Sequence, residues 1–413
     1  MMNTVNIKDI QKVQPIVTLN TFGGVANGKS SLIRFLTGIN PMKFKKEIVK
    51  NMTIKLGYTN AIIYKCNNCE NPNCFQINKQ ICEYCNFENE QILHISIIDA
   101  PGHNDLQTTA LKSIDLVDFC LLLFSVEGLN NSCTSDHYNA LKYYDLLDKT
   151  FILQNKIDLI SKDLALEQFE IIQKNYDIDI IVPISAQYGY GIDYLIQLMI
   201  EKIKIPTNIE YNKLVNENLR ATIIRSFDIN KQNIDVKNIV GAVIGVHIKK
   251  GVIRIGDKIK IIPGLIMKDG HANQLTAIVK SIKTDENEVQ IAYPGGLFGI
   301  GLSIDANLSK NNKLEGNLII KFDDTTIKQF KEGTIILNNN HHQIKVNMTC
   351  VVTICSQKRN IKISKVDKNK INFISNILIS CDLNEKIIIL INGKIHSGGY
   401  IESVINNENI ATN

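Results

Sequence analysis

Two stretches of the chain hold residue types at spacings that do chemistry. The first is "GGVANGKS", Gly23 to Ser30, which fits G-x-x-x-x-G-K-S between the apolar run "PIVTLNTF" and the amphipathic "GKSSLIRFLTGI". Such a turn lines up backbone N–H groups as a concave anion nest, where bulky side chains would keep phosphates at a distance. Val25, Ala26, Asn27, Gly28, Lys29, Ser30 and Ser31 are the expected cradle. Within it, Lys29 reaches the β- and γ-phosphates and Ser30 ligates Mg²⁺. The second stretch is "KCNNCENPNCFQINKQICEYC", which takes five of the ten cysteines. Cys66-x2-Cys69, twelve residues and then Cys82-x2-Cys85 is the two-hairpin spacing of a four-thiolate structural Zn²⁺ site. Cys74 could replace one ligand or be a free thiol, and it reads better as a non-ligand.

Further motifs follow the first in a fixed order. "IIDAPGH" closes an apolar run with Asp99, suited to act on Mg²⁺, and Gly102 could offer its N–H to a γ-phosphate. "LQNKID" supplies Asn155, Lys156 and Asp158. A carboxylate at 158 accepts both guanine N1–H and the exocyclic amine, a donor pair that adenine lacks. "ISAQ" brings Ser185, Ala186 and Gln187 to complete a base pocket. Each motif sits at the C-terminal end of a strand-like run, where open α/β sheets bind ligands. The set predicts GTP and GDP, with Mg²⁺, as ligands of a P-loop GTPase. A GTPase also needs a switch threonine that touches Mg²⁺ and the γ-phosphate, and "KNMTIKLGY" offers Thr53.

The elements that must position these residues have two grammars. Up to about residue 205, short apolar runs alternate with helical patterns, which predicts a mostly parallel sheet with helices on both faces. "KIPTNIEYNKLVNENLRA" reads as a linker, and only strand-like segments broken by Gly, Asn and Pro follow. The expected fold is an α/β P-loop GTPase domain followed by two β-barrel domains. The divisions fall at 1–205 (with a zinc-knuckle insertion at about 64–88), 206–310 and 311–413. At 413 residues, 44% hydrophobic and 21% charged, the chain has the composition of a soluble globular protein. No apolar leader and no run long enough to span a bilayer occur, so a cytoplasmic protein without a membrane partner is expected. Thiols stay reduced there, which favours metal over disulfides. A net charge of +5 permits a nucleic-acid partner without requiring one.

Asp99-Ala100-Pro101-Gly102-His103, with histidine where many GTPases carry glutamine, resembles the translational GTPases. The resemblance implies that His103 orients the attacking water, behind a hydrophobic gate at Val25 and Met52. A knuckle between Thr53 and Asp99 is similar to the gamma subunit of the eukaryotic and archaeal translation initiation factor two. So are "KNMTIKLGYTNAIIYK", "IRSFDIN", "KKGVIRIGDKIKIIPG" and "YPGGLFGIG", and the likeness covers nearly the whole chain. It implies a GTP-dependent carrier of initiator methionyl-tRNA to the small ribosomal subunit, which hydrolyses GTP at start-codon selection and releases the tRNA. Implied partners are the alpha and beta subunits of the same factor, a GTPase-activating protein and a nucleotide-exchange factor. Tyr58 would line the tRNA cleft, and Lys249, Lys250 and Arg254 could meet phosphates. Three positions depart from the family: Gly24 and Asn27 stand where histidines are usual, and Asn104 where an acid commonly follows. Two other readings remain. One is a GTP-binding scaffold subunit with little turnover. The other is an elongation-type or selenocysteine-specific tRNA carrier, against which the knuckle argues.

Overall fold

The computed structural model of the chain describes residues 4–41, 47, 53–129, 131–230, 241–267, 270–285, 287–338 and 344–405. Two compact units emerge, Val5–Ile209 and the part from Glu210 onward. Among the described residues no helix is long and apolar enough to cross a membrane.

The first unit is built on one sheet. Its strands are β1 Val17–Gly23, β2 Gly57–Lys65, β3 Phe75–Ile77, β4 Glu90–Asp99, β5 Phe119–Ser125, β6 Thr150–Asn155 and β7 Ile181–Ile184, in the order β3-β2-β4-β1-β5-β6-β7. β1, β5 and β6 are buried at every residue, as continuous apolar strands covered on both faces must be. β1 runs parallel to β4 and β5, and β5–β6 and β6–β7 are also parallel. β2 is antiparallel to both β3 and β4. The sequence reading passes over β2, whose apolar residues alternate as a half-buried strand requires. The helix expected over "NDLQTTALKSIDL" is instead broken into a 3-10 turn at Asn104–Leu106, a helix at Gln107–Leu111 and another 3-10 turn at Ile114–Leu116.

Helix boundaries follow cap chemistry. Ser161 accepts the Leu164 N–H ahead of the helix Lys162–Asn175, and Gly38, at φ 73°, closes the helix Lys29–Thr37. Part of the expected linker is helical, over Asn208–Asn216.

The second unit holds two closed six-stranded barrels. The first uses β8 Arg220–Phe227, β9 Val243–Lys250, β11 Lys258–Ile266, β12 Ala272–Thr284, β15 Leu297–Leu302 and β16 Leu318–Lys321, with the short β10 Ile253–Arg254, β13 Asn287–Glu288 and β14 Ile291–Ala292. Pairing of β11 with β12 closes the order β11-β16-β8-β9-β15-β12. β16 pairs with β8 and β11, so this barrel extends past residue 310, where the sequence reading divides the two. The division belongs after Lys321. The second barrel runs β17 Lys328–Leu337, β20 Lys370–Cys381, β19 Gln357–Asp367, β18 Thr349–Ile354, β21 Lys386–Ile391 and β22 Lys394–Ile405 in ring order.

Candidate functional site

The loop after β1 meets the C-terminal ends of β5 and β6. Val25 and Ala26 are exposed at its apex, Ala26 with φ 62°, while Asn27 and Lys29 are buried and Ser31 faces solvent. Lys29 Nζ donates to the carbonyls of Gly23 at 2.8 Å and Gly24 at 2.7 Å. Burial pulls its pKa down to about 8, with Asp99 working against the shift. Gly102 packs so closely on this loop that a Cβ there would stand 2.4 Å from Lys29 Nζ and 2.6 Å from the Gly24 carbonyl oxygen. Any larger residue would push the two segments apart.

Ser30, Thr53 and Asp99 converge, although 69 positions separate the first from the last. Both hydroxyls donate to Asp99 Oδ2, Ser30 at 2.7 Å and Thr53 at 2.9 Å, and the two hydroxyl oxygens lie 3.0 Å apart. Adjacent ligands of octahedral Mg²⁺, at about 2.1 Å from the metal, are about 3.0 Å from each other. The triangle therefore matches one face of that coordination shell. Asp99 Oδ1 is buried without a hydrogen-bond partner, a lone pair left for a cation or its water. Burial pushes the Asp99 carboxyl up, opposed by Ser30, Lys29 and Thr53. The residues fit Mg²⁺, and they would hold it against the β- and γ-phosphates.

Asn155 joins the other motifs. Its Nδ2 donates to the Asn27 carbonyl at 2.8 Å, and its Oδ1 accepts the Ala186 N–H at 3.0 Å. One carboxamide thus ties the phosphate loop, the end of β6 and the loop after β7 together. Lys156 pairs with Glu127, Asp158 is exposed in a 3-10 turn at Ile157–Leu159, Ser185 is buried and Gln187 faces solvent. His103, directly after Gly102, has a half-exposed side chain whose Nδ1 accepts the Asp105 N–H at 3.2 Å. Val25 of the expected gate is exposed, and Met52 lies outside the described residues.

Comparison with known proteins agrees with this geometry. Residues 14–205 match the Elongation factor Tu GTP binding domain. The chain is 36% identical over 347 residues to Eukaryotic translation initiation factor 2 subunit gamma of Schizosaccharomyces pombe, covering 77% of this chain and 76% of that one. The Encephalitozoon cuniculi subunit is 35% identical, with 76% and 73% covered, and Translation initiation factor 2 subunit gamma of Methanococcus vannielii is 34% identical, with 74% and 75% covered. The chain belongs to the gamma subunits of translation initiation factor 2. As a member of that family it is a translational GTPase. Solved structures agree on the fold. A bacterial selenocysteine-specific elongation factor EF-Sec superposes with a TM-score of 0.72 at 19% identity, over 94% of this chain and 58% of that one. Elongation factor SelB of Methanococcus maripaludis, in complex with the GTP analogue GPPNHP, gives 0.70 at 18% identity, with 96% and 80% covered.

In this gamma-family chain the second cysteine pair folds back on the first. The sulfurs of Cys66, Cys69, Cys82 and Cys85 all lie within 4.8 Å of one another, with Cys66–Cys85 at 3.4 Å and Cys69–Cys82 at 3.7 Å. Tetrahedral Zn–S bonds of about 2.3 Å place sulfurs about 3.8 Å apart. The donor set therefore fits Zn²⁺. Asn68 N–H and Gln76 Nε2 donate to the Cys66 and Cys82 sulfurs, the kind of contact that orients thiolate ligands. Burial works to raise the Cys82 thiol, yet the N–H groups of Cys85 and Tyr84 and the neighbouring thiols bring it down to about 6. Cys74 stays outside the cluster and donates its S–H to Asn71 Oδ1 at 2.8 Å.

Tyr58 is half-buried on β2, opposite Ile98 of β4. Lys249 and Lys250 are already paired with Glu385 and Glu217. The sequence reading misses Thr134 and His137, which bond the phosphate loop from the helix Ser132–Tyr143. The available signal was their spacing of three, which puts both on one helical face.

Proposed function

We propose that this chain, with GTP bound, carries initiator methionyl-tRNA to the small ribosomal subunit, hydrolyses GTP at start-codon selection and then releases the tRNA. The observation that carries the reading is Thr53. It bonds Asp99 and lies 3.0 Å from Ser30, so a cation held by Ser30 and Asp99 beside the phosphates would also hold the switch segment. A γ-phosphate strengthens that hold and hydrolysis releases it, which is how an ordered segment reports nucleotide state. In this reading His103 orients the attacking water and Tyr58 lines the cleft for the aminoacylated end. Zn²⁺ holds the knuckle, and the protein works in the cytoplasm with the alpha and beta subunits, an activating protein and an exchange factor.

Filter binding of initiator methionyl-tRNA with a GTP analogue, then with GDP, tests the proposal, using elongator methionyl-tRNA as control. Tight, analogue-dependent and initiator-selective binding is expected. Equal affinity for the elongator would favour an elongation-type carrier. Binding that ignores the nucleotide, even with partner subunits present, would sink the carrier reading. The scaffold reading draws on Gly24 and Asn27, since the Asn27 carboxamide is engaged with Leu123 and Thr134. Single-turnover phosphate release with the activating protein separates those two.

A further inference from the structure

Three residues outside the nucleotide motifs meet the phosphate loop from one side. Asn131, Thr134 and His137 recur at every third position across the N-cap and first turns of the helix Ser132–Tyr143, and so share one face. His137 is fully buried, its ring centroid 5.3 Å from that of Phe22, and its Nδ1 accepts the Gly23 N–H at 3.1 Å. Thr134 Oγ1 accepts the Gly24 N–H at 2.9 Å and Asn27 Nδ2 at 3.1 Å. The same Asn27 nitrogen donates to the Leu123 carbonyl at 2.6 Å. Asn131 caps the helix by accepting the Cys133 N–H, and its carboxamide fills the space beside Gly24, where a Cβ would stand 2.3 Å from its Nδ2.

An anion nest works only when its N–H groups point inward before the ligand arrives, because ordering them at binding would cost affinity. The first two amides of this loop are already committed to the helix. That fixes the strand exit from which the loop sets out, and the Asn27 N–H is in turn held by the Gly24 carbonyl at 3.4 Å. The bond to Gly23 requires a neutral imidazole with its proton on Nε2. Burial, with Lys29 adding to it, holds the His137 pKa down to about 3 and keeps it so.

We propose that Thr134 and His137 are positioning residues that preset the phosphate loop, and that nucleotide retention depends on their acceptor atoms. The inference rests on the phosphate-binding role read for this loop. The test is the release rate of a fluorescent GDP from the full chain, with GMP affinity by competition as a second readout. Thr134→Val is nearly isosteric and removes the hydroxyl; Thr134→Ser restores it. His137→Phe keeps the ring against Phe22 without an acceptor; His137→Gln returns one. An unpaired buried amide should speed GDP release about tenfold in the valine and phenylalanine variants, with the serine and glutamine variants within about threefold of the parent chain. GMP, held chiefly through its base, should lose less than GDP. Release from Thr134→Val within about twofold of the parent would overturn the proposal, as would equal losses for GMP and GDP, which mark general loosening. A parent chain that holds no GDP would instead sink the phosphate-loop reading itself.

Discussion

Asp99 is a carboxylate under opposing demands. It is fully buried and one of its oxygens lacks a partner, while Ser30 and Thr53 both donate to the other. Burial raises its pKa above the ordinary 3.8, so in the metal-free chain its contribution to stability is present below that value and is lost as pH rises through the raised one. A cation bound at this carboxylate would offset the penalty. Asp99→Asn keeps the shape and removes the charge. A hydrogen bond to a charged group contributes about 1.5–3 kcal/mol, so the Mg²⁺-dependent part of GDP affinity should fall by roughly tenfold to a hundredfold. GDP release with Mg²⁺ and with chelator measures this, and a variant whose Mg²⁺ effect equals the parent's would remove Asp99 from the cation site. Ser30, Thr53 and Asp99 were legible in the sequence because each belongs to a short motif with a local chemical rationale. Thr134 and His137 were not, since their partners at Gly24 and Gly23 are 110 and 114 positions away and a spacing of three on one helical face points to no partner.

At the scale of elements, the knuckle and the cation site hang on opposite ends of one ladder. β2 pairs with β4 from Gly57 opposite Asp99 to Lys65 opposite Glu90, and the cysteines lie beyond the second pair. Eight residue steps at about 3.3 Å each put roughly 26 Å between the two ends. Zinc therefore should hold the insertion without tuning the nucleotide. One zinc per chain is expected by elemental analysis. Cys82→Ser should lose it and leave the remaining knuckle thiols reactive towards a disulfide reagent, with GDP affinity changed by no more than about threefold, given that separation. A large loss of GDP affinity would mean that the ladder transmits, and that the knuckle is part of the switch. The alternating grammar before residue 205 revealed the mostly parallel sheet, though not its antiparallel β2 and β3, and closely spaced strands revealed two barrels. The edge between the barrels was not visible, because β16 has only four residues and its partner β8 lies about a hundred positions back. A strand that short has no periodicity of its own, and only the pairing identifies it.

At the scale of the second unit, the two barrels share apolar and ionic ties. Ile262, Leu318 and Ile320, from strands of the first, are buried in one cluster with Phe330, Phe373 and Ile379 of the second. Arg220, at the start of β8, reaches Asp324 at 2.6 Å and Asp382 at 3.0 Å, and donates to Thr326 at 2.7 Å. Its side chain is 8% exposed and that of Asp324 only 5%. The guanidinium fork supplies several donors in a fixed plane, a geometry that lysine cannot copy. Burial alone would raise the Asp324 carboxyl, but the Thr326 N–H and hydroxyl and the Arg220 charge bring it below its ordinary value. A depressed carboxyl contributes stability above pH 3.8 that is lost as pH falls through its folded value. Arg220→Leu leaves the buried Asp324 charge unpaired, and breaking such a pair costs about 3–5 kcal/mol. Urea unfolding at neutral pH should register that loss in this unit. Arg220→Lys should fall in between, and the acid-side decline should flatten in the leucine variant. A leucine variant within about 1 kcal/mol of the parent would mean that apolar packing alone joins the barrels, because surface-like ion pairs contribute no more than that. The full loss would mean that the Arg220 ion pairs and the apolar cluster together make the two barrels one cooperative body.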